Sequence, residues 1–434
     1  ETPEIILGHR RLSIIDLSEN ANQPMQDDCK NCIVFNGEIY NYKELKKSLI
    51  DLGYYFKTNS DTEVILKLYQ EYGINFTKKL RGMFAIAIWD QKIQTLFLFR
   101  DHFGIKPLYY LDNGKTIMFA SQVKSLLNYS EINKIVNPKS YVNFLIWGHI
   151  PEPDTFYKNI YSIQPGTGLS VELKGNLNKF EFFSLIQTIE NDTDKLDTKD
   201  CLDFLNLQLN DSIDKHLTAD VPVCSFLSSG VDSNFLTSKV KNNYIKTSNI
   251  NELNINNFSG ITLGFDEYNN TPNDEVPFAK KSAQHLKINH IYEYINYTQF
   301  NDHYEKILKY MDQPTIDGIN NYFINYIAKK NNYKVALSGI GADEIFSGYK
   351  DFKQIPLILN ISKIFNSNFV LKNFFNIIAP KLLNSNNLIK KQNVLKYGSN
   401  IFSAYQLNRS LFLPEEITKF TDNNFVKQGL EEIV

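Results

Sequence analysis

Ser228-Ser229-Gly230-Val231-Asp232-Ser233 follows directly on an apolar run at residues 221–227. Further along, Ser338-Gly339-Ile340-Gly341-Ala342-Asp343-Glu344 follows Lys334-Val335-Ala336-Leu337. Each stretch reads as a short buried strand that breaks into a small-residue turn and leads into a helix. In an open parallel sheet, such turns lie at the carboxyl ends of the strands, where ligands bind. Small residues let backbone N–H groups close on phosphate oxygens, and a helix start adds a favourable dipole. Each turn also carries an Asp that can hold Mg2+ against those phosphates. One Ser/Gly stretch alone is equally an ordinary turn. Two of them, in order and each behind an apolar strand, point to a nucleotide site.

The first turn resembles the Ser-x-Gly-x-Asp-Ser signature of ATP pyrophosphatases. These enzymes split ATP between the α- and β-phosphates and adenylylate a substrate. It is not the GxxxxGK(S/T) loop of γ-phosphate NTPases, since no Lys closes it.

The chain of 434 residues is long enough for about two or three domains. With 43% apolar and 22% charged residues it has the composition of a globular protein. A net charge of −2 and the lack of a basic cluster give no electrostatic case for nucleic acid. No apolar stretch is long enough to span a membrane, and no signal-peptide pattern opens the chain, so it reads as cytoplasmic. Four cysteines are present: Cys29, Cys32, Cys201 and Cys224. Cys29-Lys30-Asn31-Cys32 is a CxxC without a second Cys pair or a His pair, and it reads as incidental reduced thiols.

Residues 1–130 read mostly as strands with two helices. A hairpin is expected from 84–89 and 95–99, with helices at 42–52 and 61–72, the latter capped by Asp61 or Thr62. Residues 131–200 read as a mixed connector. From residue 201 to 434 helices and strands alternate and then give way to helices, which argues a parallel sheet covered on both faces, with a helical tail.

The N-terminal part carries Gly8-His9-Arg10-Arg11-Leu12, Phe35-Asn36-Gly37-Glu38-Ile39, Ser60-Asp61-Thr62-Glu63, Arg81-Gly82-Met83-Phe84 and Arg100-Asp101-His102-Phe103-Gly104-Ile105-Lys106-Pro107. In that order these segments resemble the glutaminase domain of class II glutamine amidotransferases. Together with the two turns, the chain resembles the glutamine-hydrolysing asparagine synthetases of the class B type, from residue 1 to about residue 352. The resemblance implies an α/β multidomain fold. An N-terminal Ntn-type α+β domain of antiparallel sheets and helices would precede a doubly wound, parallel-sheet ATP pyrophosphatase domain with a helical tail. It also implies glutamine, aspartate and ATP as small-molecule substrates, Mg2+ as the metal, and a homodimer.

Site residues follow from the resemblance position by position. A carboxylate wants a planar bidentate cation, and the family's Arg is matched by Arg11. An ammonium wants acceptors, and Glu38 and Asp61 match them. A tetrahedral oxyanion wants preorganised donors, matched by the Asn36 side chain and the Gly37 backbone N–H. Asn36-Gly37 also reads as a type I′ turn, and Arg11 or Asp61 alone as a solvated charge or a helix cap. The family's nucleophile is a Cys at the mature N-terminus, and residue 1 here is Glu. The family comparison therefore gives the expectation of a fragment, short at its start and also at its end.

In the synthetase half, Leu227, Ser228, Gly230, Val231, Asp232, Ser233, Leu263, Ser338 and Gly339 match the ATP and pyrophosphate positions. Asp232 and Asp343 match the metal carboxylates. Two departures stand out. Ser229 replaces the first Gly of the usual Ser-Gly-Gly-x-Asp-Ser, and Ile340 replaces the Glu proposed in the family as base for ammonia attack. Asp312, Asp317 and Ile340 are expected at the acceptor pocket, although 312–318 reads equally as a Pro/Gly loop. Three functions stay open: asparagine synthesis, amidation of another carboxylate such as a sugar acid in surface polysaccharide, and a non-catalytic binding homologue.

Overall fold

The computed structural model describes residues 5–130, 132–173, 175–191, 197–251, 258–366, 390, 393–421 and 423–433. Two compact units are present. One comprises Glu1–Asn133, Asn159–Asp312 and Ile319–Ser338; the other comprises Lys134–Lys158, Gln313–Gly318 and Gly339–Val434.

The first unit opens with nine strands in two antiparallel sheets. In chain order they are β1 (Met25–Gln26), β2 (Cys32–Ile39), β3 (Gly82–Asp90), β4 (Thr95–Arg100), β5 (Tyr109–Asp112), β6 (Ile117–Ala120), β7 (Ile160–Ser162), β8 (Thr167–Glu172) and β9 (Leu177–Glu181). The six-stranded sheet runs β1-β2-β3-β4-β8-β9 and the three-stranded sheet β6-β5-β7. The expected hairpin is β3–β4, in register from Asp90 and Thr95 to Ala85 and Arg100.

The apolar runs of β3 and β4 have no polar alternation because both faces of the sheet are covered. Phe84, Ile86, Ile88, Phe97 and Phe99 pack against helices Tyr42–Asp51 and Asp61–Tyr72. Ala85, Ala87, Trp89, Leu96 and Leu98 pack on the opposite side, with Leu108, Tyr110, Ile163 and Leu169. Ser60 caps the second helix, its side chain accepting from Thr62 N at 3.1 Å, in the place expected of Asp61 or Thr62. Residues 131–200, read as a connector, supply β7, β8 and β9 to these sheets.

The same unit carries a four-stranded, wholly parallel sheet ordered β12-β11-β10-β13. Its strands are β10 (Val223–Phe226), β11 (Ser259–Phe265), β12 (Asn289–Ile295) and β13 (Val335–Leu337). Alternate residues of β10 face opposite layers. Val223 joins Ile213, Val240 and Phe258, while Cys224 joins Ile261, Ile327 and Ala328. Helices therefore cover both faces, as the alternation predicts. Strand β12 and the helix Tyr297–Tyr310 were not expected from the sequence.

The second unit is helical. Pro138–Trp147 buries Val142 and Ile146 against Ile417 and Val426, and Asp351–Asn366 precedes the helices Val394–Tyr397, Ile401–Arg409, Pro414–Phe420 and Asn424–Glu431. All four cysteines are free thiols. Among the described residues, no helix is long and apolar enough to cross a membrane.

Candidate active site

A cavity of about 620 Å3 opens in the antiparallel part of the first unit. Its wall collects segments far apart in sequence, including Arg11, Asn36, Gly37, Glu38, Asp61 and Lys106. All five residues expected to bind glutamine are thus brought together.

Strand β2 positions three of them. Asn36 and Gly37 lie in its middle, opposite Ala85 and Phe84 of β3, so the type I′ turn reading does not hold. A side chain at Gly37 has no room, because a Cβ there would sit 2.1 Å from the Met83 carbonyl oxygen. The Asn36 amide reaches Ser121 Oγ at 3.4 Å across the cavity wall. Glu38, the next residue, is buried.

Asp61 opens the helix Asp61–Tyr72 and is buried as well. Its Oδ2 accepts from Ile39 N at 3.1 Å, which ties the helix to the end of β2. Arg11 sits in a loop whose carbonyls it gathers. The guanidinium donates to Ile15 O at 2.8 Å, to Ser18 O at 3.1 Å and to Asp16 O.

Burial dominates the electrostatics of the two carboxyls. It pushes Glu38 up to about 7, helped by the charge of Asp61 and opposed by Lys106. It pushes Asp61 up to about 6, against backbone donors including Ile39 N and the nearby Arg11. Among the described residues, the buried Glu38 Oε1 and His9 Nδ1 have no hydrogen-bond partner. An acceptor left unpaired in a buried wall favours a ligand that brings donors.

Lys106 and His9 are pocket residues that the sequence reading left without a role. Lys106 is held there by its neighbours. The Asp101 carboxylate accepts from the backbone N–H groups of Phe84, Phe103, Ile105 and Lys106 at 2.9–3.2 Å. The buried Arg100 donates to the carbonyls of Gly104, Lys106 and Ile163 and to Ser162 Oγ. A charged Arg-Asp pair at the end of an otherwise apolar strand is the sequence signal for this clamp.

The other expected residues lie elsewhere. In the parallel sheet of the first unit, Leu227 and the 228–233 turn follow β10, and Val231–Asn251 is the helix after it. Leu263 lies on the neighbouring β11, and Ser338 directly follows β13. All stand toward the carboxyl ends of parallel strands. The turn is bonded to itself: Ser228 N donates to Ser233 Oγ at 3.1 Å and Gly230 N to Ser228 Oγ at 3.1 Å. Thr262 Oγ1 donates to the Leu227 carbonyl at 2.7 Å and fixes the strand end that feeds it.

Gly339, Ile340 and Asp343 belong to the second unit. Gly341 has φ 99°, and Asp343 stands in the first turn of the short helix Ala342–Phe346. Ile340 is 84% exposed. Asp312, in the first unit, accepts from Val123 N and Lys124 N at 2.8 and 3.0 Å. Asp317, in the second, donates its backbone N–H to Thr315 Oγ1 at 3.2 Å.

Among the described residues, no group of three or more His, Cys, Asp or Glu gathers to hold a metal. Mg2+ is usually held by one or two carboxylates with substrate phosphates, and Asp232, at the start of the helix after the turn, suits that mode.

Comparison with known proteins finds two families, each over a different part of the chain. Residues 1–182 match the glutamine amidotransferase domain family, and residues 205–410 match the asparagine synthase family. Glutamine-hydrolyzing asparagine synthetase 1 of Bacillus subtilis is 38% identical over 361 residues, covering 81% of this chain and 53% of that protein. Asparagine synthetase 3 of the same organism is 31% identical, covering 80% and 57%. A putative asparagine synthetase of Methanocaldococcus jannaschii is 33% identical, covering 79% and 66%. The chain therefore spans between half and two thirds of the length of these relatives. It belongs to the family in which a glutamine amidotransferase domain is followed by an asparagine synthase domain.

Proposed function

We propose that this chain amidates a carboxylate at the expense of ATP, with ammonia drawn from glutamine and L-aspartate as the acceptor. L-aspartate, L-glutamine, ATP and water would give L-asparagine, L-glutamate, AMP and pyrophosphate. The observation that carries the reading is the buried pocket. Its wall brings the Arg11 guanidinium and the carboxyls of Glu38 and Asp61 together with Asn36 and Gly37, groups that complement a free amino-acid amide. Arg11 would take the α-carboxylate, Glu38 and Asp61 the α-ammonium, and Asn36 with the Gly37 N–H the oxyanion. The part assigned to these residues is binding and orientation.

In the second half, the acceptor carboxylate would attack the α-phosphorus of ATP and release pyrophosphate into the 228–233 turn. Ammonia would then attack the acyl carbon and release AMP. Asp232 and Asp343 would hold Mg2+, which neutralises phosphate charge when bound. Leu227, Leu263, Ser338 and Gly339 would contact the nucleotide. Asp312, Asp317 and Ile340 are proposed at the acceptor side, Asp312 through the backbone it orders.

Ile340 favours a second reading. An apolar, exposed side chain at the position of the family's proposed base suits an acceptor other than aspartate. The deciding experiment supplies ATP, Mg2+ and ammonium salt with aspartate or a sugar acid. AMP and pyrophosphate formed in step with the amide are expected, and ADP with phosphate as the products would overturn the proposal.

A further inference from the structure

The polar side chains of the 228–233 turn bond mostly within the turn. Ser228 Oγ and Ser233 Oγ lie 2.8 Å apart, and Asn234 Nδ2 donates to the carbonyls of Ser228 and Gly230 at 3.0 and 2.7 Å. Ser229 differs: its hydroxyl leaves the turn and donates to Glu275 Oε1 at 3.2 Å.

Glu275 is placed by a built frame. It immediately precedes the helix Val276–Leu286, and its carbonyl accepts from Ala279 N at 3.0 Å. Its neighbour Asp274 is buried and accepts from Val276 N at 3.1 Å, Asn270 N at 3.3 Å and Tyr294 Oη at 2.8 Å. A carboxylate is thus fixed beside the one residue of the turn at which this chain departs from the family's Gly.

We propose that Glu275, acting through Ser229, is a positioning residue that weakens the turn's hold on pyrophosphate and so speeds its departure. The inference rests on the reading of the turn as a pyrophosphate cradle. Two effects act in the same direction. Glu275 accepts the Ser229 hydroxyl proton that a phosphate oxygen would otherwise accept. Its charge also repels the polyanion, by about threefold in affinity per phosphate charge at a separation of roughly 6 Å in water. Both side chains are exposed, so the repulsion is screened by salt.

The test is calorimetric titration of magnesium pyrophosphate into the wild-type chain, Glu275→Gln, Ser229→Gly and the double variant. Glu275→Gln is expected to bind about 3- to 10-fold more tightly. That gain should shrink in about 0.5 M salt and in the Ser229→Gly background, where the hydroxyl that links the two is gone. A purely structural role for Glu275 would move neither. Equal affinity of wild type and Glu275→Gln, or a gain indifferent to Ser229→Gly, overturns the inference and leaves the cradle reading standing. Binding by none of the four proteins overturns the cradle reading, and the inference falls with it.

Discussion

Glu38→Gln should make the protein more stable at pH 8 and leave it little changed at pH 4. Glu38 is 5% exposed on β2, and among the described residues its Oε1 has no hydrogen-bond partner. Burial first, and then the Asp61 charge, push its carboxyl from 4.5 up to about 7. A carboxyl whose pKa is raised on folding favours the fold while it is protonated. Its contribution is fully present below 4.5 and is lost as the pH rises through about 7. At pH 8 the ionised side chain therefore costs about 3 kcal/mol relative to a neutral isostere, at about 1.4 kcal/mol per decade of equilibrium.

Gln keeps the shape and removes the titration. The stability difference between variant and wild type should climb by about 3 kcal/mol from pH 4.5 to pH 8. Urea unfolding read from Trp89 fluorescence is the assay. Trp89 is buried on β3, the strand paired with β2, and a Trp147→Phe background silences the tryptophan of the second unit. A difference that stays flat with pH, or that falls, would refute the reasoning.

Four further outcomes are expected. Gly37→Ala should lose about 1–3 kcal/mol or more in the same unfolding assay, because its Cβ meets the Met83 carbonyl oxygen at 2.1 Å. Asp101→Asn should lose about 2–4 kcal/mol, since one carbonyl oxygen cannot serve four backbone N–H groups, and a loss under 1 kcal/mol would argue against the clamp. Asp232→Asn should cut ATP–pyrophosphate exchange by about 100-fold or more if it holds Mg2+ on the turn, and exchange at the wild-type rate would remove it from that role. Ile340→Glu should raise ammonia-dependent asparagine formation by about 10- to 100-fold if a base at this position limits the reaction; an unchanged rate would assign the base elsewhere.

Some of this molecule is written locally. Apolar runs bounded by turn residues located the β3–β4 hairpin, and the helix Asp61–Tyr72 starts where the Ser60-Asp61-Thr62 segment signals it. The two small-residue turns after β10 and β13 were legible for the same reason. Strand propensity, capping and turn chemistry act over a few residues, so a short window contains them. The ordered motifs that carry the family resemblance are local in the same way.

The tertiary structure decided what depends on distant partners. Asn36-Gly37 has the composition of a turn, and it lies mid-strand because β3 pairs along its whole length and leaves Gly37 room for a hydrogen only. Residues 160–181 carry weak strand signals, and they become strands because β4 offers an open edge to β8 and β5 one to β7. The displaced pKa values of Glu38 and Asp61 come from burial by segments as far apart as Arg11 and Lys106. Sequence fixes which groups can ionise; only the packed walls determine how much water each one keeps, and that sets its charge.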